Sequence, residues 1–354
     1  MKDLFTYLKS VTKPIVMYGM GNGADKILAL CDKHSIEVCD FFASDGFVRG
    51  HLFHGKRVLS YSEIKEKYKD RYLVLMSFAS SREDVLENVA RISAECELYL
   101  PDVPVSGEEI FNLEYARAHK NELLLARELF ADDESRRIFD NIISYKISGD
   151  ISYLFDAESS LSECMGIIDA ENIKVYADFG AYNGDSIREL MNFAPSLERV
   201  YAAEPDPRSF RKLSEWAKDG QKAEIFTINA GVMSYDGEEY FDNSGNRNAH
   251  FEKEGISKRS ALTKILSPDT ILKDEPYVDY MKYDVEGSEK EALLGSVKTI
   301  ERCAPSLLVS VYHRSEDIFS LPILVNSLCK DYKLYLRRFR GIPAWDINLY
   351  AVKK

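Results

Sequence analysis

At 354 residues the chain is longer than one typical domain and predicts two. Its 46 basic and 58 acidic side chains leave a net charge of −12, which argues against nonspecific binding to nucleic-acid phosphates, and no apolar run approaches a membrane span. Six cysteines (Cys31, Cys39, Cys96, Cys164, Cys303 and Cys329) form no C-x-x-C pair and read as reduced thiols of a cytoplasmic protein, and MKDLFTYLKS at the N-terminus lacks an apolar core of signal-peptide length.

Residues 13–18, KPIVMY, predict a strand. Gly19, Gly21 and Ala24 follow with G-x-G-x-x-G/A spacing and open a helix through Ile27, Leu28 and Leu30. Further strands are expected at Ile36–Phe42, Val58–Leu59, Tyr72–Ser77 and Glu97–Leu100, with helices at Ser62–Tyr68 and Ser81–Ile92. Residues 1–104 therefore read as a small Rossmann-like domain. Three roles stay open for its glycine turn: NAD binding, a nucleotide or nucleotide-sugar ligand, or a docking unit whose glycines only shape the turn. No acid–base group of distinctive type lies beside the turn, which speaks against redox chemistry.

Pro101 and Pro104 mark a boundary. Ser106-Gly-Glu-Glu109 has the capping-box pattern and predicts a helix through Phe111, Tyr115 and Leu123 to Phe130. Asp132 and Asp133 start another, with Ile138, Ile142 and Ile143 inside. Residues 105–150 are expected as a helical connector between two sheet domains.

Residues 151–354 form the second expected domain. A strand, Val175–Phe179, runs into the turn Gly180-Ala-Tyr-Asn-Gly184, then a helix through Ile187, Leu190 and Met191, then a strand, Val200–Ala203, ending in Glu204. Ligands of parallel sheets bind outside such carboxyl ends. A carboxylate at Glu204 can accept both hydroxyl protons of a ribose. Asp178 before the glycines would repel a pyrophosphate but suits an ammonium, so S-adenosylmethionine (SAM) fits better than NAD. A helix, Asp206–Lys218, and a strand, Ile225–Ile228, lead to Asn229-Ala230-Gly231. The polar segment Tyr235–Lys258 reads as a mobile loop, with Asn243, Arg247, Asn248 and His250 in it and a short strand at Tyr240-Phe241.

Val278–Gly287, VDYMKYDVEG, predicts a strand on which Lys282, Asp284 and Glu286 share one direction. Three ionisable groups in a row at an apolar strand's end are costly unless paired or functional. A helix, Glu289–Leu294, then a strand, Ser306–Tyr312, deliver His313-Arg314 to a neighbouring tip. After the helix Ile318–Cys329, two last strands, Tyr332–Phe339 and Asp346–Val352, are joined too closely to be parallel. Tyr335, Arg337 and Arg338 read as a solvated strand face. A parallel sheet ending in an antiparallel hairpin is the class I methyltransferase architecture.

The pieces ADFGAYNGDS, YAAEPDP, INAGV, YMKYDVEGSEKEALLGS and SLLVSVYHRSEDIFSLP resemble the FkbM family of methyltransferases, in the family's order, over about 150–354. The resemblance implies SAM-dependent O-methylation of a sugar, glycan or related hydroxylated small molecule, the acceptor free or nucleotide-linked. By position, Asp178, Gly180, Ala181, Tyr182, Asn183, Gly184, Glu204 and Pro205 would hold SAM, with Asn229 and Ala230 near the adenine. Asp284, Glu286 and His313, with Lys282 behind them, would face the reacting centre, and Asp284 would also border SAM. Tyr182 is bulkier than the family's usual residue. His313 is the first choice of general base; Asp284 and Glu286 could instead hold Mg²⁺. The alternatives are an N- or protein methyltransferase and a non-catalytic nucleotide-sugar-binding module. The first would typically carry [DN]-P-P-[YF] where this chain has Asp284-Val-Glu286-Gly287. No nucleic-acid partner or membrane span is expected, and a homo-oligomer is left open.

Overall fold

The computed structural model describes residues 2–69, 71–156, 158–242, 251–252 and 260–353. Asn243, Arg247, Asn248 and His250 of the expected loop lie outside the described residues.

The N-terminal sheet has five parallel strands, in the order Leu59–Ser60, Val38–Ala43, Ile15–Tyr18, Leu73–Met76 and Glu97–Tyr99. Ile15–Tyr18 and Leu73–Met76 are buried at every position. Continuous apolar runs of this kind are what a parallel sheet covered on both faces requires. Leu86, Val89 and Ile92 recur at helical spacing on Glu83–Glu95 and close one face. Ser60 and Glu63 form a reciprocal cap on the helix Tyr61–Tyr68.

The second sheet has seven strands, ordered Glu224–Ile228, Arg199–Ala203, Val175–Phe179, Tyr280–Tyr283, Ser306–Ser310, Ile347–Lys353 and Tyr332–Arg338. The first five are parallel, and Ile347–Lys353 runs antiparallel to both its neighbours. This is the class I methyltransferase arrangement expected from the sequence.

The helix Asp133–Ser148 packs on the strand Tyr332–Arg338, and Lys120–Leu129 packs on the helix Asp317–Leu328. Asp132 caps the helix Asp133–Ser148, whose Ile138, Phe139, Ile142 and Tyr145 are buried. Ser135 Oγ accepts from the Leu336 N–H at 2.9 Å, fixing that helix on the strand Tyr332–Arg338. Arg337 and Arg338 are 3% and 1% exposed, so the solvated face expected for them is corrected. Arg337 ion-pairs with Asp132 and Glu163, each at 2.7 Å, which compensates its burial.

Several expectations shift. The capping pattern at Ser106–Glu109 starts no helix; the first helix there is Leu113–Ala118, capped by Asn112, and a second, Lys120–Leu129, follows a break at His119. Capping chemistry is local, whereas the Ser106 hydroxyl and N–H are claimed by groups far along the chain. The strand expected over Val278–Gly287 is regular only over Tyr280–Tyr283, because Glu286 (φ 53°) and Gly287 (φ 101°) turn the chain in the left-handed region. Within the expected mobile loop, Gly237–Asp242 is a strand. It pairs antiparallel with Ser260–Leu266 in a small four-stranded sheet that also holds Gly231–Val232 and Phe251–Glu252. A helix, Val297–Cys303, was not anticipated. Among the described residues, no helix is long and apolar enough to cross a membrane.

Candidate active site

Five strands of the second sheet point their carboxyl ends at one cleft of about 870 Å³. At one end lie Gly180, Tyr182, Glu204 and Asp206; at the other, Lys282, Asp284, Glu286 and Tyr312. More of the wall comes from two loops, Ala79–Arg82 between a strand and a helix of the N-terminal domain and Gly341–Asp346 between the last two strands.

The turn after Val175–Phe179 is held by the Gly180 and Ala181 N–H groups, both donating to the Ala203 carbonyl at 3.0 Å. Gly180 has φ 87°, and a Cβ there would stand 1.9 Å from the Asp284 carbonyl oxygen. The turn can therefore lie directly against the neighbouring strand's end only with glycine. Glu204, 7% exposed, accepts from the Tyr182 and Asp206 N–H groups, each at 2.8 Å. Burial pushes its carboxyl up to about 7, against the pull of those two hydrogen bonds. Each of its oxygens keeps acceptor capacity for a ligand hydroxyl.

Other expected cofactor residues are placed differently. Asp178 is fully buried and is not on the cleft wall; Ser186 Oγ donates to it at 2.6 Å and Lys282 Nζ at 3.3 Å. The sheet register sets this, since Asp178 and Lys282 are direct partners on adjacent strands. In this structure the Asp178 carboxylate is engaged by Ser186 and Lys282 and lies behind the cleft wall. Asn183 turns to Arg188, which donates to its carbonyl and side-chain oxygens. Asn229 donates to the Glu204 and Pro205 carbonyls, bracing that strand tip, while Gly231 and Val232 line the cleft in its place. Ala181, Gly184 and Ala230 are buried beneath the wall.

The four residues expected at the reacting centre do converge. Lys282 Nζ lies 3.3 Å from Asp178 and 3.4 Å from Asp284. Burial works against its charge, but the two carboxylates outweigh burial and hold the ammonium above its usual range. Asp284 also accepts from Ser310 Oγ at 2.9 Å. Burial raises its carboxyl, yet Lys282 and His313 together hold it below the usual value.

His313, 1% exposed, has Nδ1 at 2.9 Å from Glu289, and Nε2 at 3.6 Å from Asp284 and 3.5 Å from Glu286. Neither ring nitrogen has an aligned hydrogen-bond partner. Burial disfavours the charged ring, but Glu289, Asp284 and Glu286 prevail and raise it to about 10. The three carboxylates thus favour the protonated ring over the free base. Buried Asp317, beside Glu289, is raised by burial and by that carboxylate.

Two contributors were not singled out from sequence. Glu289 fixes the turn by accepting from the Val285 N–H at 2.9 Å and the Gly287 N–H at 3.1 Å. It stands in the motif stretch DVEGSE, and its place three residues after Glu286 was the available signal. Ser106 straps the site from outside: its N–H donates to the His313 carbonyl (2.8 Å) and its hydroxyl to the Glu286 carbonyl (2.7 Å). Gly287 makes this possible, since a Cβ there would lie 2.7 Å from Ser106 Cβ.

Residues 178–339 match the family model described as "Methyltransferase FkbM domain". The chain carries an FkbM methyltransferase domain. A solved structure of Methyltransferase FkbM from Methylobacillus flagellatus KT is similar over 96% of this chain and 90% of that one, at 18% identity and a TM-score of 0.71. That likeness extends the shared fold beyond the FkbM methyltransferase domain to the N-terminal sheet. An rRNA methylase from Streptococcus thermophilus aligns with 55% of this chain and 97% of its own, at 13% identity and a TM-score of 0.37. No curated protein matches the chain.

Proposed function

We propose that this methyltransferase moves the methyl group of SAM to a hydroxyl oxygen of a sugar, glycan or related polyhydroxylated small molecule. The observation that carries the reading is the cleft itself. Glu204 stands at one end, poised to accept ribose hydroxyls, and the Asp284–Glu286–His313 group stands at the other. SAM spanning the ends of Arg199–Ala203 and Val175–Phe179 would bring its methyl toward that group. The sulfonium already activates the methyl, so the protein's work is alignment and removal of a hydroxyl proton. Alignment can contribute about 7–11 kcal/mol of barrier reduction in favourable cases. Asp284, Glu286 and His313 are the candidate proton acceptors, and the carboxylates around His313 favour its protonated form.

The N-terminal sheet is a docking unit in this reading, since its Ala79–Arg82 loop faces the acceptor end of the cleft. All six cysteines are free thiols, which suits a cytoplasmic setting. Calorimetric titration with SAM and with NAD, followed by a screen of hydroxylated acceptors with methyl-labelled SAM, tests the proposal. The expected result is SAM binding and label transfer to oxygen. Binding of NAD but not SAM, or label found only on nitrogen, overturns it.

A further inference from the structure

The buried ring of His313 is aimed into a carboxylate cluster, with Glu289 2.9 Å from Nδ1 and no aligned hydrogen-bond partner on Nε2. Such a side chain is costly to bury unless something completes it. We infer that His313 Nε2, Asp284 Oδ1 and Glu286 Oε2 form the binding site of one divalent cation of the Mn²⁺ or Zn²⁺ class, open on its remaining side to the cleft. The inference rests on the reading above only for what the ion does, not for whether it binds.

The spacing fits an ion. Ligand atoms about 2.1 Å from a metal stand roughly 3.0 Å apart at right angles and about 3.4 Å apart at the tetrahedral angle. Nε2 is 3.6 Å from Asp284 and 3.5 Å from Glu286, near the spacing of ligand pairs on one ion, and Asp284, Glu289 and His313 hold ligand atoms within 4.8 Å of one another. The other face of the ring is already arranged. Glu289, 1% exposed and held by the Val285 and Gly287 N–H groups, lies 2.9 Å from Nδ1. A carboxylate there keeps the proton on Nδ1 and turns the Nε2 lone pair toward the metal. Ser310 Oγ (2.9 Å) and the Tyr312 hydroxyl (3.5 Å) both donate to Asp284 Oδ1, so an ion there would displace the longer Tyr312 contact.

The donor set selects the ion. One imidazole with two carboxylates suits Mn²⁺ or Zn²⁺ better than Mg²⁺, which prefers oxygen and keeps its waters. Binding would displace any proton on Nε2 into solvent, because only the neutral ring ligates. An acceptor hydroxyl on the open side would be acidified by the ion. Its oxygen would then form the new O–CH₃ bond as the S–CH₃ bond breaks with its electron pair on sulfur, the hydroxyl proton passing to water.

The test uses the full chain stripped with a chelator and titrated with Mn²⁺, with free Mn²⁺ followed by electron paramagnetic resonance. One equivalent should bind, Zn²⁺ should displace it, and excess Mg²⁺ should compete poorly. Bound Mn²⁺ should show nitrogen coupling that His313→Ala abolishes. Asp284→Asn and Glu286→Gln should weaken binding at least tenfold. Glu289→Gln, a positioning change, should weaken it by about 10–100-fold while the nitrogen coupling persists. Circular dichroism checks each variant's fold; if His313→Ala fails to fold, the coupling in wild type and its retention in Glu289→Gln decide. No saturable Mn²⁺ or Zn²⁺ binding, or binding indifferent to every folded variant, overturns the inference. Methyl transfer by the stripped protein, undiminished by chelator, overturns the ion's part in the reaction and leaves the proposed reaction standing. Metal binding without any SAM binding would do the reverse.

Discussion

Ser80 and Ile342 exchange both hydrogen bonds of an antiparallel backbone bridge, 2.8 Å from the Ser80 N–H to the Ile342 carbonyl and 3.0 Å in return. The bridge fastens a loop of the N-terminal sheet to the connection between the last two strands of the methyltransferase sheet. Both loops line the cleft. Arg340 and Glu83, 3.6 Å apart and mostly exposed, add little to that fastening.

Ser80→Pro removes one of the two donors. A hydrogen bond of this kind is worth about 0.5–1.5 kcal/mol net. Amide exchange in residues 341–345 should therefore quicken several-fold, while SAM affinity stays within about twofold. Exchange at wild-type rates would show that the bridge does not hold the wall.

If Glu204 holds the ribose of SAM as proposed, SAM binding carries a pH signature. Burial raises the Glu204 carboxyl from 4.5 to about 7. Ribose hydroxyls donating to it would favour the charged form and lower that value in the complex. SAM affinity should then be full above about pH 7 and fall as pH drops through it, with proton release on binding near pH 6–7. Glu204→Gln should flatten the profile and weaken binding by about 1.5–3 kcal/mol. For stability the sign is opposite: a folded-state value above the unfolded one favours the fold below about pH 4.5, and that contribution is lost as pH rises through 7. Calorimetry in buffers of different ionisation enthalpy reads the proton release; a pH-independent wild-type affinity would sink the ribose role.

Lys282 and Asp178 are a buried pair whose members depend on each other. Lys282→Met leaves the Asp178 carboxylate buried without its cation and should cost about 3–5 kcal/mol. Lys282→Met with Asp178→Asn removes both charges and should recover much of that loss. Urea denaturation of the two single variants and the double variant reads the coupling. Additive losses would mean the pair is not coupled.

Gly180→Ala tests how closely the glycine turn must lie against the neighbouring strand. The added carbon meets the Asp284 backbone oxygen, which no rotamer change can move, and the residue must also keep φ 87°. Backbone strain alone should cost about 1–3 kcal/mol, and the displaced turn should lose SAM. Thermal melts and SAM titration read this variant. A wild-type melting temperature with normal SAM affinity would mean the close approach is not needed.

Much of the fold was legible because parallel strands covered on both faces leave unbroken apolar runs, as at Val175–Phe179 and Leu73–Met76. The convergence of Asp284, Glu286 and His313 followed from placing their strands side by side, which the pairing of Tyr280–Tyr283 with Ser306–Ser310 bears out. What escaped was non-local. Ser106 has the residue type and spacing of a helix cap, but its partners lie 180 and more positions away. Asp178 is acidic and sits at a glycine turn; only the register opposite Lys282 shows that its charge is already spent. The strand Gly237–Asp242 carries Glu238 and Glu239 in a small sheet, so its polarity resembles that of a loop.

The placement of Ile347–Lys353 has a consequence for biosynthesis. This strand lies between Ser306–Ser310 and Tyr332–Arg338, not at the sheet's margin. While a ribosome is still making the chain, Leu307 and Val309 have no partner on that side until residue 351 and its neighbours have emerged. The N-terminal sheet can pair all its strands once residue 99 is made. The catalytic sheet must wait for the stretch around residue 350, with an unpaired apolar edge waiting for it.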